Sequence, residues 1–161
     1  MASSKILSHA QALEAAARRR AAGHTIVFAN GAFDLLHVGH ARYLQAARAL
    51  GDWLLVGVNS DRSVAASKGP NRPIVPEAER AELVAALEGV DAVILFDEDT
   101  PAALIRQLAP DVHAKGTDYS ADTVPEREVV ASHGGRTVIV GDPKDHATTD
   151  VIERIRKTSR P

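Results

Sequence analysis

The chain alternates between short apolar runs and segments with helical spacing, and this alternation constrains its fold more than any other feature. Uninterrupted apolar runs are typical of strands buried on both faces, and they cover residues 25–28, 53–58, 92–96, 112–114 and 137–140. Helical spacing covers about residues 5–20, 40–50, 76–87, 101–108, 125–133 and 148–157. Strands that alternate with helices form a parallel sheet with helices on both faces, so we predict an α/β fold with a five-stranded parallel sheet.

Length and composition favour one globular domain. The 161 residues suffice for one hydrophobic core and are too few for two ordinary domains. Apolar residues make up 45% and charged residues 25% of the chain, as in soluble globular proteins. We therefore predict a single Rossmann-like, doubly wound domain over residues 1–161, with an N-terminal helix in residues 1–23 and the core in residues 24–161.

Charge and cysteine content exclude several classes of function. The net charge of -2 argues against a sequence-independent nucleic-acid binder, which is normally strongly basic. The absence of cysteine excludes disulfides and thiolate metal sites and fits a reducing compartment. No segment has the pattern of a signal peptide or a membrane span. We expect a cytoplasmic protein that binds neither nucleic acid nor membrane.

Residues 28–40 combine a strand end, a glycine turn and a helix start that carries two histidines. The N–H groups and the dipole at a helix N-terminus favour anions. His37 and His40 are one helical turn apart, so both rings can face the same side, and Gly39 lets a ligand approach the backbone closely. This segment predicts a nucleoside triphosphate site at the carboxyl end of the first strand, where open parallel sheets bind ligands.

Two other interpretations of this segment stay open. The turn alone is also compatible with a generic Rossmann-type loop. Histidines at this spacing can bind a metal, although the chain has no cysteine and no third ligand lies close in sequence.

Polar residues follow two further strands. Asn59 and Asp61 follow the second strand, where Asp61 is also suited to cap a short helix. The loop after them carries Lys68 and Arg72 among turn-forming residues, which makes both candidates for binding substrate or triphosphate charge.

The fourth strand and the last helix contribute the remaining candidates. Lys115, Gly116, Asp118 and Tyr119 follow the fourth strand, where Gly116 permits close backbone approach and Tyr119 suits either stacking on a base or packing on a helix. Residues 148–149, both threonine, open the last helix as an N-cap or as phosphate-binding hydroxyls. The histidines that this pattern leaves over are expected to be structural or on the surface; they are His113, His133 and His146.

The motif in residues 31–40, Gly31-Ala32-Phe33-Asp34 followed by His37-Val38-Gly39-His40, resembles the signature of the cytidylyltransferase-like nucleotidyltransferases. Members of that superfamily join a nucleoside monophosphate to a phosphate-bearing substrate and release pyrophosphate. The ordered series of further motifs is similar to that of the D-glycero-β-D-manno-heptose 1-phosphate adenylyltransferases, which make ADP-heptose for lipopolysaccharide cores. That series comprises Val58-Asn59-Ser60-Asp61, Lys68-Gly69, Arg72-Pro73, Glu98-Asp99-Thr100-Pro101 and Lys115-Gly116-Thr117-Asp118-Tyr119.

The resemblance covers nearly the whole chain and departs from the pattern at two positions. Ala147 stands where the superfamily usually has serine, so any hydrogen bond from that hydroxyl is lost. Ala32 stands where the heptose family usually has cysteine, and neither side chain is needed for the chemistry. In many bacteria this activity is half of a bifunctional protein fused to a sugar kinase, and this chain, too short for a kinase, resembles the stand-alone form.

The resemblance implies in-line attack of the sugar phosphate on the α-phosphorus of ATP. It implies catalytic roles for His37, His40 and Lys68. The implied nucleotide-binding residues are Asn30, Gly31, Ala32, Phe33, Gly39, His40, Lys115, Gly116, Asp118, Thr148 and Thr149. The implied substrate-binding residues are Asp34, Asn59, Asp61, Lys68, Arg72 and Arg80, although Arg80 is also spaced to pair with Glu77 on a helix surface and Asp34 is also suited to order its turn. Mg²⁺ is expected to bind mostly through phosphates and water, without certain protein ligands, and homologues commonly form homodimers.

Three alternative functions stay open at this point. A cytidylyltransferase acting on glycerol 3-phosphate or a similar phospho-alcohol shares the histidine motif. GTP-dependent transfer to the α-anomer of the sugar phosphate is a weaker alternative. A non-catalytic nucleotide sensor would use the same fold, since fold alone does not fix function.

Overall fold

The structure of the chain, a computed structural model, describes residues 4–143 and 145–159. The predicted domain also includes residues 1–3, 144, 160 and 161, which lie outside the described residues. The strands are β1 (Ile6–Leu7), β2 (Ile26–Gly31), β3 (Trp53–Asn59), β4 (Ala92–Phe96), β5 (Val112–Lys115) and β6 (Arg136–Ile139). The helices are α1 (His9–Ala21), α2 (Val38–Arg48), α3 (Asp61–Lys68), α4 (Glu77–Ala85), α5 (Ala102–Leu108), α6 (Arg127–Ala131) and α7 (Thr148–Thr158).

The strands form one parallel sheet in the order β1-β4-β3-β2-β5-β6. The predicted α/β architecture is confirmed, and each of the five predicted strands is present. The sheet has a sixth strand, because Ile6 and Leu7 pair with Val93 and Ile94 of β4 instead of starting the first helix.

Local hydrogen bonds at Ser8 explain why α1 starts later than its apolar spacing predicts. The Ser8 hydroxyl accepts from the backbone N–H of Gln11 at 3.3 Å, and the Gln11 side chain accepts from the Ser8 N–H at 2.8 Å. This reciprocal capping box satisfies donors that a helix start would otherwise leave unpaired. The helix therefore begins at His9, and the two residues before Ser8 are free to extend the sheet.

Apolar side chains cover both faces of the sheet, as expected for parallel strands. One face packs on α2 and α4, and its buried residues include Val27, Ala29, Val56, Leu44 and Val84. The other face packs on α1, α5 and α6, and its buried residues include Phe28, Leu55, Ile94, Ala12 and Leu104. In the described part of the chain, no helix is long and apolar enough to cross a membrane.

The strand order reverses beside β2. From β2 the chain adds β3 and then β4 on one side, and it later returns to add β5 and β6 on the other side. Ligands bind open α/β sheets in the crevice outside the carboxyl ends of the strands at such a switch point. Gly31 and Lys115 end the two strands that flank it.

Candidate active site

A cleft of about 730 Å³ opens at this switch point. It brings together most of the site residues that the sequence predicts, from β2, the β2–α2 loop, α2, the end of α3, the loop after β5 and the start of α7. The predicted residues that line it are Asn30, Gly31, Ala32, Phe33, Asp34, His37, Gly39, His40, Lys68, Arg72, Lys115, Gly116, Asp118, Thr148 and Thr149. Tyr119 also lines it.

His37 and His40 cap the N-terminus of α2 with their own rings. The Nδ1 atom of His37 accepts from the backbone N–H of Gly39 at 3.2 Å, and the Nδ1 atom of His40 accepts from the backbone N–H of His37 at 3.3 Å. A neutral imidazole whose Nδ1 accepts must carry its proton on Nε2. Each ring therefore offers one Nε2–H donor, and the two rings stack with centroids 3.9 Å apart.

Desolvation keeps His37 and His40 neutral. Desolvation, helped by His37 and Lys68 and opposed by Asp34, lowers the pKa of His40 to about 4. Desolvation and the nearby His146 also lower the pKa of His37, while Asp150 opposes them. At neutral pH the free protein thus holds hydrogen-bond donors here and not imidazolium cations, in a part of the helix where anions are favoured.

Gly39 leaves room for the His37 ring. A Cβ atom at this position would lie 2.9 Å from both Cε1 and Nδ1 of His37 and 3.3 Å from Cβ of His146. Real Cβ atoms do not approach other atoms so closely, so any larger residue would displace the ring. This packing gives Gly39 a structural role that the sequence did not predict, and the predicted approach of a ligand to its backbone stays a prediction.

Asp34 organises the loop that bounds one side of the cleft. Its carboxylate accepts from the Nε of Arg72 at 2.8 Å and from the backbone N–H groups of Ile74 and Val75 at 2.9 and 3.0 Å. Burial raises the pKa of Asp34, but the two backbone hydrogen bonds and the Arg72 guanidinium outweigh burial and leave the pKa below its ordinary value. Of the two predicted roles for Asp34, this geometry fits the ordering of the turn.

Asp34 accepts only from the Nε donor of the Arg72 guanidinium. Its Nη2 atom is buried and has no hydrogen-bond partner among the described residues. The guanidinium is held in place by Asp34 and lines the cleft. A fixed donor of this kind suits an anionic oxygen of a ligand.

Arg80 lies beneath the site and not in it, which corrects the expectation that it reaches into the cleft. Its side chain is fully buried. The guanidinium donates to the carbonyl oxygens of Ala32 and Val75 and, at 2.8 Å, to the carboxylate of Asp61. Arg80 thus connects the β2–α2 loop to the start of α3 and to the loop before α4. The Asp61 carboxylate accepts one of these hydrogen bonds from Arg80.

Asn59 likewise does not line the cleft. Its side-chain amide donates to the Ser63 hydroxyl at 3.1 Å. Ser60 caps α3 through a 3.1 Å hydrogen bond from the N–H of Ser63. The alternative in which Asp61 caps this helix is wrong by one residue, because Asp61 is the first helical residue. Lys68, predicted in a loop, ends the same helix and reaches the cleft from there.

Lys115 is a partly desolvated cation at the end of β5. Its ammonium nitrogen lies 4.7 Å from the centre of the Tyr119 ring, a cation–π distance. Burial lowers the pKa of Lys115, while the carboxylates of Glu126 and Asp118 oppose the shift. The Tyr119 ring thus packs on a charged side chain within the cleft.

The start of α7 is joined to the β2–α2 loop. The Thr148 hydroxyl donates to the carbonyl oxygen of Asp34 at 2.6 Å. Ala147 occupies the cap position without a side-chain hydrogen bond, so the expectation that Thr148 is the N-cap is off by one residue. Thr149 is exposed to the cleft beside it.

His146 is exposed, as expected for a surface histidine, and it also lines the cleft, which the sequence did not predict. Its ring centroid lies 6.3 Å from that of His37. The residues around His146 in the sequence do not predict this position. His146 reaches the cleft through tertiary contacts with the start of α2. Among the described residues, no group of three His, Cys, Asp or Glu side chains is arranged to hold a metal ion.

Comparison with known proteins agrees with this geometry. The family model described as cytidylyltransferase-like matches residues 28–158. The bifunctional protein HldE of Syntrophotalea carbinolica is 53% identical over 138 residues, which are 86% of this chain and 28% of that protein. The bifunctional protein HldE of Magnetococcus marinus is 48% identical over 153 residues, which are 95% of this chain and 31% of that protein.

A solved structure is also similar. The crystal structure of the lipopolysaccharide core biosynthesis protein from Thermoplasma volcanium GSS1 superposes with a TM-score of 0.62 and 35% sequence identity, covering 73% of this chain and 95% of that one. The chain spans less than a third of the length of the two HldE proteins it matches. The family model covers most of the chain, and the histidine pair that carries the resemblance lies inside it. The chain belongs to the cytidylyltransferase-like family.

Proposed function

We propose that this chain transfers AMP from ATP to D-glycero-β-D-manno-heptose 1-phosphate, giving ADP-D-glycero-β-D-manno-heptose and pyrophosphate. The observation that carries the proposal is the pair of neutral Nε2–H donors on His37 and His40 at the N-terminus of α2. Support for the substrate comes from the relatives named HldE and from the relative described as a lipopolysaccharide core biosynthesis protein.

In the proposed reaction an oxygen of the sugar phosphate attacks the α-phosphorus of ATP. The bond between that phosphorus and the oxygen bridging to the β-phosphate breaks, and the electron pair leaves with pyrophosphate. The Nε2–H groups of His37 and His40 donate to the α-phosphoryl oxygens and to the departing bridge as charge develops on them. Fixed donors in a water-poor site need no reorganisation during the reaction, which is why such donors accelerate it.

Cationic side chains hold the remaining phosphate charge in this proposal. The Arg72 guanidinium, which lines the cleft, donates to the sugar phosphate, and Lys68 neutralises charge beside His40. The backbone N–H groups of Thr148 and Thr149 and the Thr149 hydroxyl receive the β- and γ-phosphates, since the first N–H groups of a helix have no partner within it. The Thr148 hydroxyl donates to Asp34 and holds this helix start in place. Arg80 serves indirectly, by fixing the loops that carry these groups.

Nucleotide-dependent enzymes of this kind use Mg²⁺, which would neutralise triphosphate charge when bound. The residues present fit a metal held through phosphates and water, because the Asp34 carboxylate is already occupied by Arg72 and two backbone N–H groups. Asp118, Asp142 and Asp145 also line the cleft, where their carboxylates would accept hydrogen bonds from waters around that ion.

The test is pyrophosphate release with Mg²⁺, in which ATP, CTP and GTP are each combined with both anomers of heptose 1-phosphate and with glycerol 3-phosphate. Release with ATP and the β-anomer alone supports the proposal. Release with CTP and glycerol 3-phosphate would replace it with a phospho-alcohol cytidylyltransferase. Nucleotide binding without release in any combination would favour a sensor.

We also propose a cytoplasmic homodimer. An enzyme that consumes ATP needs the compartment in which ATP is made. Apolar side chains exposed on helices support self-association, among them Leu83 on α4 and Ile155 on α7, which are 48% and 53% exposed. Light scattering coupled to size-exclusion chromatography tests this, with Leu83→Glu and Ile155→Glu expected to shift a dimer to monomer.

A further inference from the structure

A histidine beneath the cleft contacts one of its polar side chains. His113 lies on β5, is fully buried and stacks on Phe28 with ring centroids 5.7 Å apart. Its Nε2 atom lies 2.8 Å from Oδ1 of Asn30, which is on the adjacent strand and lines the cleft. This interaction joins the floor of the site to the hydrophobic core, and the proposed reaction as derived above does not use it.

The chemistry of the two groups fixes the direction of this hydrogen bond. An amide oxygen only accepts, so Nε2 of His113 must carry a proton. Nδ1 of His113 is buried without a hydrogen-bond partner among the described residues, and an unpaired lone pair there costs less than an unpaired N–H donor would. Burial, with a smaller contribution from Lys115, lowers the pKa of His113 to about 3, so the ring is neutral.

A fixed His113 in turn fixes the Asn30 amide. Because Oδ1 of Asn30 faces His113, the other end of the amide, which carries two N–H donors, is directed away from the core. Without the histidine, the amide could rotate and present its oxygen to the ligand instead. Phosphate oxygens and the unprotonated ring nitrogens of a base only accept hydrogen bonds, so a donor at this position favours a nucleotide and an acceptor opposes it.

We propose that His113 is a positioning residue that holds Asn30 as a hydrogen-bond donor toward a bound nucleotide. This inference rests on the proposed function only in taking ATP as the ligand, and it is independent of the sugar phosphate. Asn30 makes the contact, and His113 acts through it. The pair therefore behaves as one unit with respect to nucleotide affinity.

The experiment is a double-mutant cycle on nucleotide binding, with ATP affinity measured by titration calorimetry in the full chain. We expect Asn30→Ala to weaken ATP binding by about tenfold, and His113→Leu by a similar factor, since tenfold is the effect of one well-placed hydrogen bond. The double variant should bind ATP as weakly as Asn30→Ala alone, within about twofold. His113→Gln, whose amide N–H can also donate to Asn30, should recover most of the affinity.

A control separates positioning from stability. His133 is also partly buried and makes one hydrogen bond from its Nε2, to the carbonyl oxygen of Pro110, far from the cleft. His133→Leu should lower the melting temperature without changing ATP affinity. Each His113 variant is also compared by melting temperature, and should any fail to fold, the Asn30→Asp variant tests the same donor, because it replaces the N–H₂ with an acceptor and should weaken ATP binding more than alanine does.

The outcomes are distinct. Multiplicative losses in the double variant, or unchanged ATP affinity in His113→Leu, would overturn the inference while leaving the proposed function intact. No ATP binding by the unmodified chain, together with no pyrophosphate release in any substrate combination, would overturn both.

Discussion

The Nδ1 atom of His40 accepts a hydrogen bond from the backbone N–H of His37, 3.3 Å away, so the helix start dictates where the imidazole proton lies. The same is true of His37, whose Nδ1 accepts from Gly39. The motif is thus more than two histidines on one face. The backbone of α2 fixes both tautomers, and with them the two Nε2–H donors on which the proposed transfer depends.

The tautomer of His40 predicts which substitutions preserve its role. A glutamine amide nitrogen reaches about as far as Nε2, whereas that of asparagine reaches only about as far as Nδ1. We expect His40→Asn to lower kcat by about 10²–10³-fold, the usual cost of losing one such donor, and His40→Gln to lose much less. Steady-state pyrophosphate release measures both, with circular dichroism to confirm folding. Equal losses in the two variants would show that the donor is not at Nε2.

The lowered pKa values of His40 and His113 predict that the free energy of unfolding falls in mild acid. The pKa of His40 is about 4 and that of His113 about 3 in the folded chain, against about 6.5 when unfolded. Below about pH 6.5 the unfolded chain therefore binds more protons than the folded chain, so acid favours unfolding. Each histidine should make the free energy of unfolding decrease by up to about 1.4 kcal/mol per pH unit as the pH falls below about 6.5. Above that pH both histidines are neutral in both states, and neither lowers the stability.

Urea unfolding between about pH 7 and pH 4.5 measures this slope. His113→Leu should have a smaller slope than the unmodified chain because it removes one of the two groups. An unchanged slope in that variant would contradict the buried, neutral state of His113.

Gly39 predicts a change that separates stability from activity. Alanine is favoured over glycine within a helix by about 0.5–1 kcal/mol, but its Cβ would lie 2.9 Å from the His37 ring and displace it. Displacing the ring also removes the cap that His37 makes on Gly39, which offsets the gain from alanine. We therefore expect Gly39→Ala to leave the melting temperature nearly unchanged and to lower kcat at least tenfold, roughly the loss of part of one donor. A variant with normal kcat would mean that the position of the His37 ring does not matter.

The ion pair of Asp34 with Arg72 predicts that Asp34→Asn greatly lowers the free energy of unfolding. Asp34→Asn leaves the Arg72 guanidinium, only 14% exposed, without its counter-charge. Breaking a buried pair by removing one partner typically costs about 3–5 kcal/mol, and we expect the lower end of that range. Urea unfolding measures it.

The matched control is Glu14→Gln, which removes the exposed Arg18–Glu14 pair on α1. Exposed pairs contribute about 0–1 kcal/mol, so this variant should be nearly as stable as the unmodified chain. Similar losses in both variants would contradict the view that Asp34 organises the loop at residues 72–75.

The sequence predicted the parts of this structure that depend on local pattern. Strands buried on both faces are uninterrupted apolar runs, so β2 to β6 could be predicted, as could the turn and helix that carry His37 and His40. The strand β1 was not predicted, because its two apolar residues, Ile6 and Leu7, fit a helix equally well by spacing. Only the Ser8 cap shows that the helix begins after them.

Tertiary contacts account for what remained hidden. Arg80 has the sequence context of a surface helix residue, and only its burial against Ala32, Val75 and Asp61 shows that it holds loops. His113 and Asn30 are 83 positions apart and meet only because β2 and β5 are neighbours. Nothing local distinguishes His146, in the cleft, from His133, which is not in it.

The most direct test of adenylyl transfer follows the oxygen atoms. Heptose 1-phosphate of the β-anomer, with ¹⁸O at its non-bridging phosphate oxygens, is incubated with ATP, Mg²⁺ and the protein. The masses of the products are then measured by mass spectrometry. Attack by the sugar phosphate on the α-phosphorus predicts ADP-heptose that retains all of the label, and pyrophosphate that carries none. Label in pyrophosphate, or no ADP-heptose at all, would contradict the proposed function.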